Sequence, residues 1–221
     1  MRSVHFVGIC LSLFICSAAN HAGRASAQAF GSNQEGSPAG VLQTSRLPPK
    51  EAEHIIAGRA RQVIRALKTR NVATLSGLVH PRKGLRFSPY HYVNLNKDGD
   101  RVFTKGQVKR LLAGKKRYLW GEDDGSGDPI RLTFPAYLRQ FVYDHDYSKA
   151  KQVTYNSDSL SSGNLINNIR DSYPSAIIVE YHFSGFQEKY GGMDWKSLWL
   201  VFEKEGSEWY LVGIAHGEWT I

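Results

Sequence analysis

SLWLVFEK (197–204) and WYLVGIA (209–215) stand on either side of Glu205-Gly206-Ser207, two runs of β-branched, aromatic and large apolar residues around a turn signal. That pattern predicts an antiparallel hairpin. A three-residue loop sets Lys204 opposite Glu208, Phe202 opposite Tyr210, Leu200 opposite Val212 and Leu198 opposite Ile214, and His216 continues the same face. The other face carries Trp199, Val201, Trp209 and Leu211 and is apolar as well. A hairpin apolar on both faces belongs inside the molecule or lines a pocket on one side.

Upstream of the hairpin, 151–157 and 176–183 read as two further strands, and before them the hydrophobic period is helical. Ala52, Ile56, Ala60, Val63 and Leu67 recur at helical spacing after Pro48-Pro49, where proline suits a first turn. Val72, Leu75, Leu78 and Val79 form a shorter helix that His80-Pro81 stops. An extended run (85–93), a turn (96–99) and Arg101-Val102-Phe103 follow, then a helix over 104–114 and a Gly/Asp loop over 121–129. Thr133 opens a last helix with Phe134, Tyr137, Leu138, Phe141 and Val142 on one stripe. Helices first and strands afterwards predict an α+β fold, with helices packed on one face of a curved antiparallel sheet.

The chain has 221 residues, 42% of them hydrophobic and 12% aromatic, which excludes wholesale disorder. Its first 27 residues read as an export signal: Arg2, an apolar run over 4–19, and Ala25-Ser26-Ala27 as the small-x-small cleavage site. Residues 28–47, rich in Gly, Ser, Ala and Gln, read as a flexible linker, and 48–221 as one folded domain. Cys10 and Cys16 both lie in the signal, each behind a bulky Ile that spoils a lipidation motif. The mature chain therefore has no thiol for a disulfide, a nucleophile or a metal. Cleavage removes Arg2 and Arg24 and no acid, so 26 basic residues face 20 acidic ones, a charge of +6 on a periplasmic or extracellular body.

The long amphipathic helix, Leu78-Val79-His80-Pro81, Gly84-Leu85-Arg86-Phe87-Ser88 and the long terminal hairpin together resemble the nuclear-transport-factor-2-like (SnoaL-like, cystatin-like α+β) fold. Tyr118-Leu119-Trp120-Gly121, the segment from Lys189 through Gly191-Gly192 to Trp195, and the ending at Glu218-Trp219 are similar to exported or lipoprotein-like bacterial proteins without an assigned activity. The resemblance spans 50–221 and implies a cone with a pocket between helices and sheet. It implies no reaction, because that fold hosts enzymes and inert binders alike.

If consecutive strands are antiparallel neighbours, His182, Trp195, Lys196, His216, Glu218 and Trp219 fall at one rim with Asp144-His145-Asp146. Glu180, His182 and His216 are the candidate acid–base residues, since imidazole titrates near neutral pH and a carboxylate fixes its tautomer. A His/Asp metal site is the bolder version of that rim and a solvated polar rim the plainer one; no metal or cofactor is expected. Glu122 to Asp128 reads as a solvated turn, with a calcium loop as the alternative that its irregular ligand spacing disfavours; Asn94, Asn96 and Asp98 with Gly99 imitate an EF-hand start, but Lys105 stands where the Glu belongs, which excludes it. The long Ser/Asn-rich loop over 156–175 reads as a lid or as a surface loop pinned by Leu165, Ile166 and Ile169.

Arg86, Tyr90, Tyr118, Trp120, Trp195 and Trp219, anchoring or flanking loops, are the candidate ligand-binding residues. Basic clusters on the first helix (Arg59, Arg61, Arg65, Lys68, Arg70) and on the helix after Thr104 lack the interleaved aromatics of nucleic-acid modules. The expected partner is a small molecule or an anionic envelope component, with no nucleic acid, only peripheral membrane contact, and a homodimer through the sheet as a further reading. The leading function is a non-catalytic, exported binding domain; the alternative is a hydrolase, isomerase or lyase using a His–carboxylate pair.

Overall fold

The computed structural model describes residues 46–161 and 166–219. The signal segment, all but the last two residues of the linker, the Leu165 pin of the long loop and the terminal Thr220 and Ile221 lie outside the described residues. Helix α1 (Pro49–Lys68) begins with a proline in its first turn and buries Ala52, Ile56, Ala60, Val63, Ile64 and Leu67. Asn71 caps α2 (Val72–Leu78) by accepting from the Thr74 amide, 3.0 Å. Strands β1 (Leu85–Ser88) and β2 (Arg101–Phe103) precede α3 (Lys105–Val108), where Thr104 and Gln107 form a reciprocal capping box. After α3 come β3 (Arg117–Glu122) and β4 (Pro129–Thr133), then α4 (Phe134–Phe141), β5 (Gln152–Tyr155), α5 (Ile169–Ser172), β6 (Ile177–Phe183), β7 (Lys196–Glu205) and β8 (Glu208–Glu218).

Six strands make one sheet in the order β2-β1-β8-β7-β6-β5. Every pair is antiparallel except β1 with β8, which run parallel. The architecture is α+β, as the order of patterns along the chain predicts. The sequence reading takes the segment around Leu119 and Gly121 to Pro129 as a motif and a loop; it is instead a separate antiparallel hairpin, β3–β4, with the Gly/Asp run as its turn. Asp123 there accepts from the Gly125 and Ser126 amides, the pattern of a solvated turn.

The sheet separates two cores. On one face Ile177, Val179 and Tyr181 of β6, Leu198, Leu200 and Phe202 of β7, and Leu211 and Ile214 of β8 meet α1, α2, α4 and the β3–β4 hairpin. On the other, Ile178, Trp199, Val201, Val212 and Ala215 pack under Val93, Ile169, Tyr173 and Trp195. The chain's own α5 and the segment after β1 thus cover the second face. Asn156 fastens the covering loop. Its backbone is left-handed (φ 49°), its amide bonds Ile178, and its buried side chain accepts from the Ile178 amide and the Arg170 guanidinium.

The β7–β8 register differs from the expected one. Glu205 pairs with Glu208 across a two-residue turn whose Gly206 takes φ 62°, the conformation primed hairpin turns require. An irregularity between Val201 and Phe202 leaves Val212 as an extra residue in β8, so Phe202 faces Leu211, Leu200 faces Ile214 and Leu198 faces His216. Among the described residues no helix is long and apolar enough to cross a membrane.

Candidate functional site

Strand pairing carries Glu180, His182 and His216 towards the same end of the sheet but onto opposite faces. Glu180 pairs with Trp199 and His182 with Ser197, on the face covered by α5. His216 pairs with Leu198 and is fully buried on the helix face, against the edge of Phe141. The expected three-residue convergence is therefore divided by the sheet itself, because residues of opposite parity on paired strands cannot share a face.

Glu180 and His182 are joined through a residue that the sequence reading passed over. Ser197, fully buried, donates to Glu180 Oε1 at 2.7 Å and lies 2.7 Å from His182 Nδ1. A serine hydroxyl has one proton, and here it goes to the carboxylate. His182 must then donate from Nδ1, which leaves Nε2 as the nitrogen with a free lone pair. The Leu160 amide closes the other side of Glu180, 2.9 Å from Oε2. Burial pushes the Glu180 carboxyl above its ordinary range, against the Leu160 and Ser197 hydrogen bonds, and burial lowers His182. The only cue to Ser197 in the sequence is its parity with Trp199, and parity says nothing about a hydrogen bond.

On the helix face, Asp144 Oδ2 lies 3.3 Å from His216 Nε2 and 3.3 Å from Lys196 Nζ, while Tyr147 donates to Oδ1 at 2.8 Å. Lys196 also bonds Glu218. Burial alone would raise the Asp144 carboxyl, but His216, Lys196 and Tyr147 outweigh it and hold the group well below the usual carboxylate range. The meeting of Asp144, Lys196, His216 and Glu218 is the rim expected from the strand directions. Ligand atoms of Asp144, His216 and Glu218 lie within 4.8 Å of one another, a spacing that suits a metal ion. The Lys196 ammonium already bridges both carboxylates, so a metal would have to displace it.

The six candidate ligand-binding residues are dispersed. Arg86 donates to the Asn94 and Asp100 carbonyls and clamps the β1–β2 connection. Tyr90 accepts from the Asp124 amide and packs on Phe141. Trp120 is fully buried, stacks on Tyr137 at 3.8 Å and donates its indole N–H to the Leu132 carbonyl, with Tyr118 packed beside it. Trp195 is buried beside His91 and His182 on the opposite face, and Trp219 is exposed. Aromatic content here fills cores; it does not form one mouth.

A groove of about 470 Å³ instead runs between α1 and the β5–β6 edge. Its floor is Val153, Ala150, Ile64 and the rings of Tyr155 and Tyr181, and Arg61 and Arg65 stand along its lip. Tyr181 is 5% exposed, and its hydroxyl has no hydrogen-bond partner among the described residues. Burial pushes that hydroxyl far above the ordinary tyrosine range, with Tyr155 adding to the effect and Arg61 pulling against it. The sequence holds a faint signal of this place: Arg61 and Arg65 at i, i+4 flank Ile64, and Val153 sits opposite Tyr181.

No protein-family model matches the chain, and no curated protein matches it. A solved structure of a protein titled Rd1NTF2_05, carrying five substitutions, is similar over 73% of this chain and 96% of its own, at 11% identity and a TM-score of 0.30. Likeness at that level carries no argument about function.

Proposed function

We propose that the chain is an exported, non-catalytic domain that binds a small molecule in the groove between α1 and the β5–β6 edge. The observation that carries this reading is the groove itself, with a floor of Ile64, Ala150, Val153, Tyr155 and Tyr181 under the exposed Arg61 and Arg65. The Tyr181 hydroxyl in its wall is buried without a partner among the described residues, which costs roughly 1–3 kcal/mol. The groove's volume falls within the range of roughly 300–1,000 Å³ usual for small-molecule sites, and its lining is mainly apolar and aromatic. An α+β cone with a pocket between helix and sheet is also what the resemblance to nuclear-transport-factor-2-like proteins implies. Export rests on the Ala25-Ser26-Ala27 pattern, and the amino terminus of the secreted product should be Gln28.

Binding is tested with the fluorescent dye Nile red and thermal denaturation. The dye should bind the wild type and lose affinity in Val153→Trp, which fills the groove floor from an edge strand. Tyr181→Phe should keep or raise the melting temperature of the free protein. Unchanged dye binding in Val153→Trp would remove the groove as the site.

The Glu180–Ser197–His182 chain supports a second, catalytic reading. Two 2.7 Å hydrogen bonds in series fix the histidine tautomer and present Nε2 as a base. In that case Ser197→Ala should lower turnover in a hydrolase or isomerase screen and shift the acid limb of its pH profile, with the melting temperature little changed. Loss of folding without any such shift would make the chain purely structural.

A further inference from the structure

We infer that the molecule held in this groove is an amphipathic anion, a carboxylate or similar acid on an apolar body; the inference rests on the binding reading above. Four cations lie on α1 between Arg59 and Lys68, and their pairing is uneven. Arg59 is satisfied by Glu208 at 2.7 Å and Lys68 by Asp146 at 2.8 Å and Ser148 at 2.9 Å. Arg61 and Arg65, the two exposed arginines that border the groove with Ile64 between them, make no ion pair among the described residues. They stand about one helical turn apart on the same flank, a separation of about 6 Å along the axis.

Below them the floor is apolar, and the deep polar group is the Tyr181 hydroxyl, which lies close enough to Arg61 to sense its charge. A carboxylate over that floor therefore meets the two guanidiniums along the lip, a charge-assisted pairing of the stronger kind. The apolar body then covers Val153, Ala150 and the Tyr155 ring. A cationic ligand would meet two unneutralised guanidiniums. A neutral one would leave them unused. Glu53 is an opposing charge close enough to act on Tyr155, and Asp146 is already engaged by Lys68.

The test uses the full chain and displacement of Nile red by decanoate, decanol and decylamine, which share one apolar body and differ in the head, with 1-naphthoate as an acid on an aromatic body. Decanoate or 1-naphthoate should displace the dye at a concentration at least tenfold below decanol, and decylamine should be weaker still. The double variant Arg61→Ala/Arg65→Ala should erase that margin and leave decanol unchanged. Arg59→Ala, which removes charge from the same helix away from the groove, should keep the margin. Equal displacement by decanol and both acids, or a margin that survives the double variant, overturns the anionic ligand while leaving the binding site intact. Dye that never binds, or binds equally to Val153→Trp, overturns the site itself.

Discussion

Asp100 and Asp144 answer acid in opposite directions. Asp100 is largely buried between β1 and β2, where Ser88 and the Asn94 amide donate to it, yet burial prevails and pushes its carboxyl up to about 6. A raised carboxyl contributes stability that is complete below the unfolded value of about 4 and lost as pH climbs through about 6. Asp100→Asn should therefore flatten the melting temperature between pH 4.5 and 7, and at pH 7 it should match or exceed the wild type. Asp144 is depressed, so its contribution is present above about 4 and disappears on acidification. Asp144→Asn leaves Lys196 and His216 facing an amide and should cost roughly 3 kcal/mol at pH 7, with the gap to wild type narrowing towards pH 2 in denaturant titrations. At this scale the sequence is a poor guide. Trp120 reads as a pocket residue by composition, and it is the Tyr137 ring stacked on it together with the Leu132 carbonyl taking its N–H that make it a core residue.

Among the elements, β8 shows how far period and turn rules reach. Strand existence, antiparallel order from β5 to β8 and the Asp144–Lys196–His216–Glu218 rim all follow from alternation and connection length. The register does not, because a two-residue turn at Gly206-Ser207 and one extra residue at Val212 each shift the pairing without altering hydrophobicity. The consequence falls on Gly217, which the observed register sets under Trp199. A Cβ there would meet the indole at 2.5 Å and His91 Nδ1 at 3.1 Å. Both neighbours are buried and cannot swing away, so Gly217→Ala should destabilise by about 1–3 kcal/mol, read from chemical denaturation, and should blue- or red-shift tryptophan emission. The β3–β4 hairpin was hidden for a related reason: Gly121 and the acidic turn mask two strands that, among the described residues, pair with each other alone.

At the level of the whole molecule, one sheet acts as a wall with a core on each side, and α1, α2 and α4 cover one of them. The second core depends on α5 and the loop that Asn156 fastens. Asn156→Ala removes the acceptor for Arg170 and for the Ile178 amide at once, so amide exchange should quicken over Ile169–Ser172 and β6 while α1 and α4 stay protected. Among the described strands, β8 comes last in the chain, yet it stands between β1 and β7. A growing chain therefore cannot close its sheet until residues near Glu218 have emerged, and β1 must wait for a parallel partner more than a hundred residues away. Until that moment the helices and β5–β7 are two unfinished pieces with open edges, exposed to chaperones and proteases. Chains stopped before Leu211 should be degraded as nascent products even though every other strand has already been made.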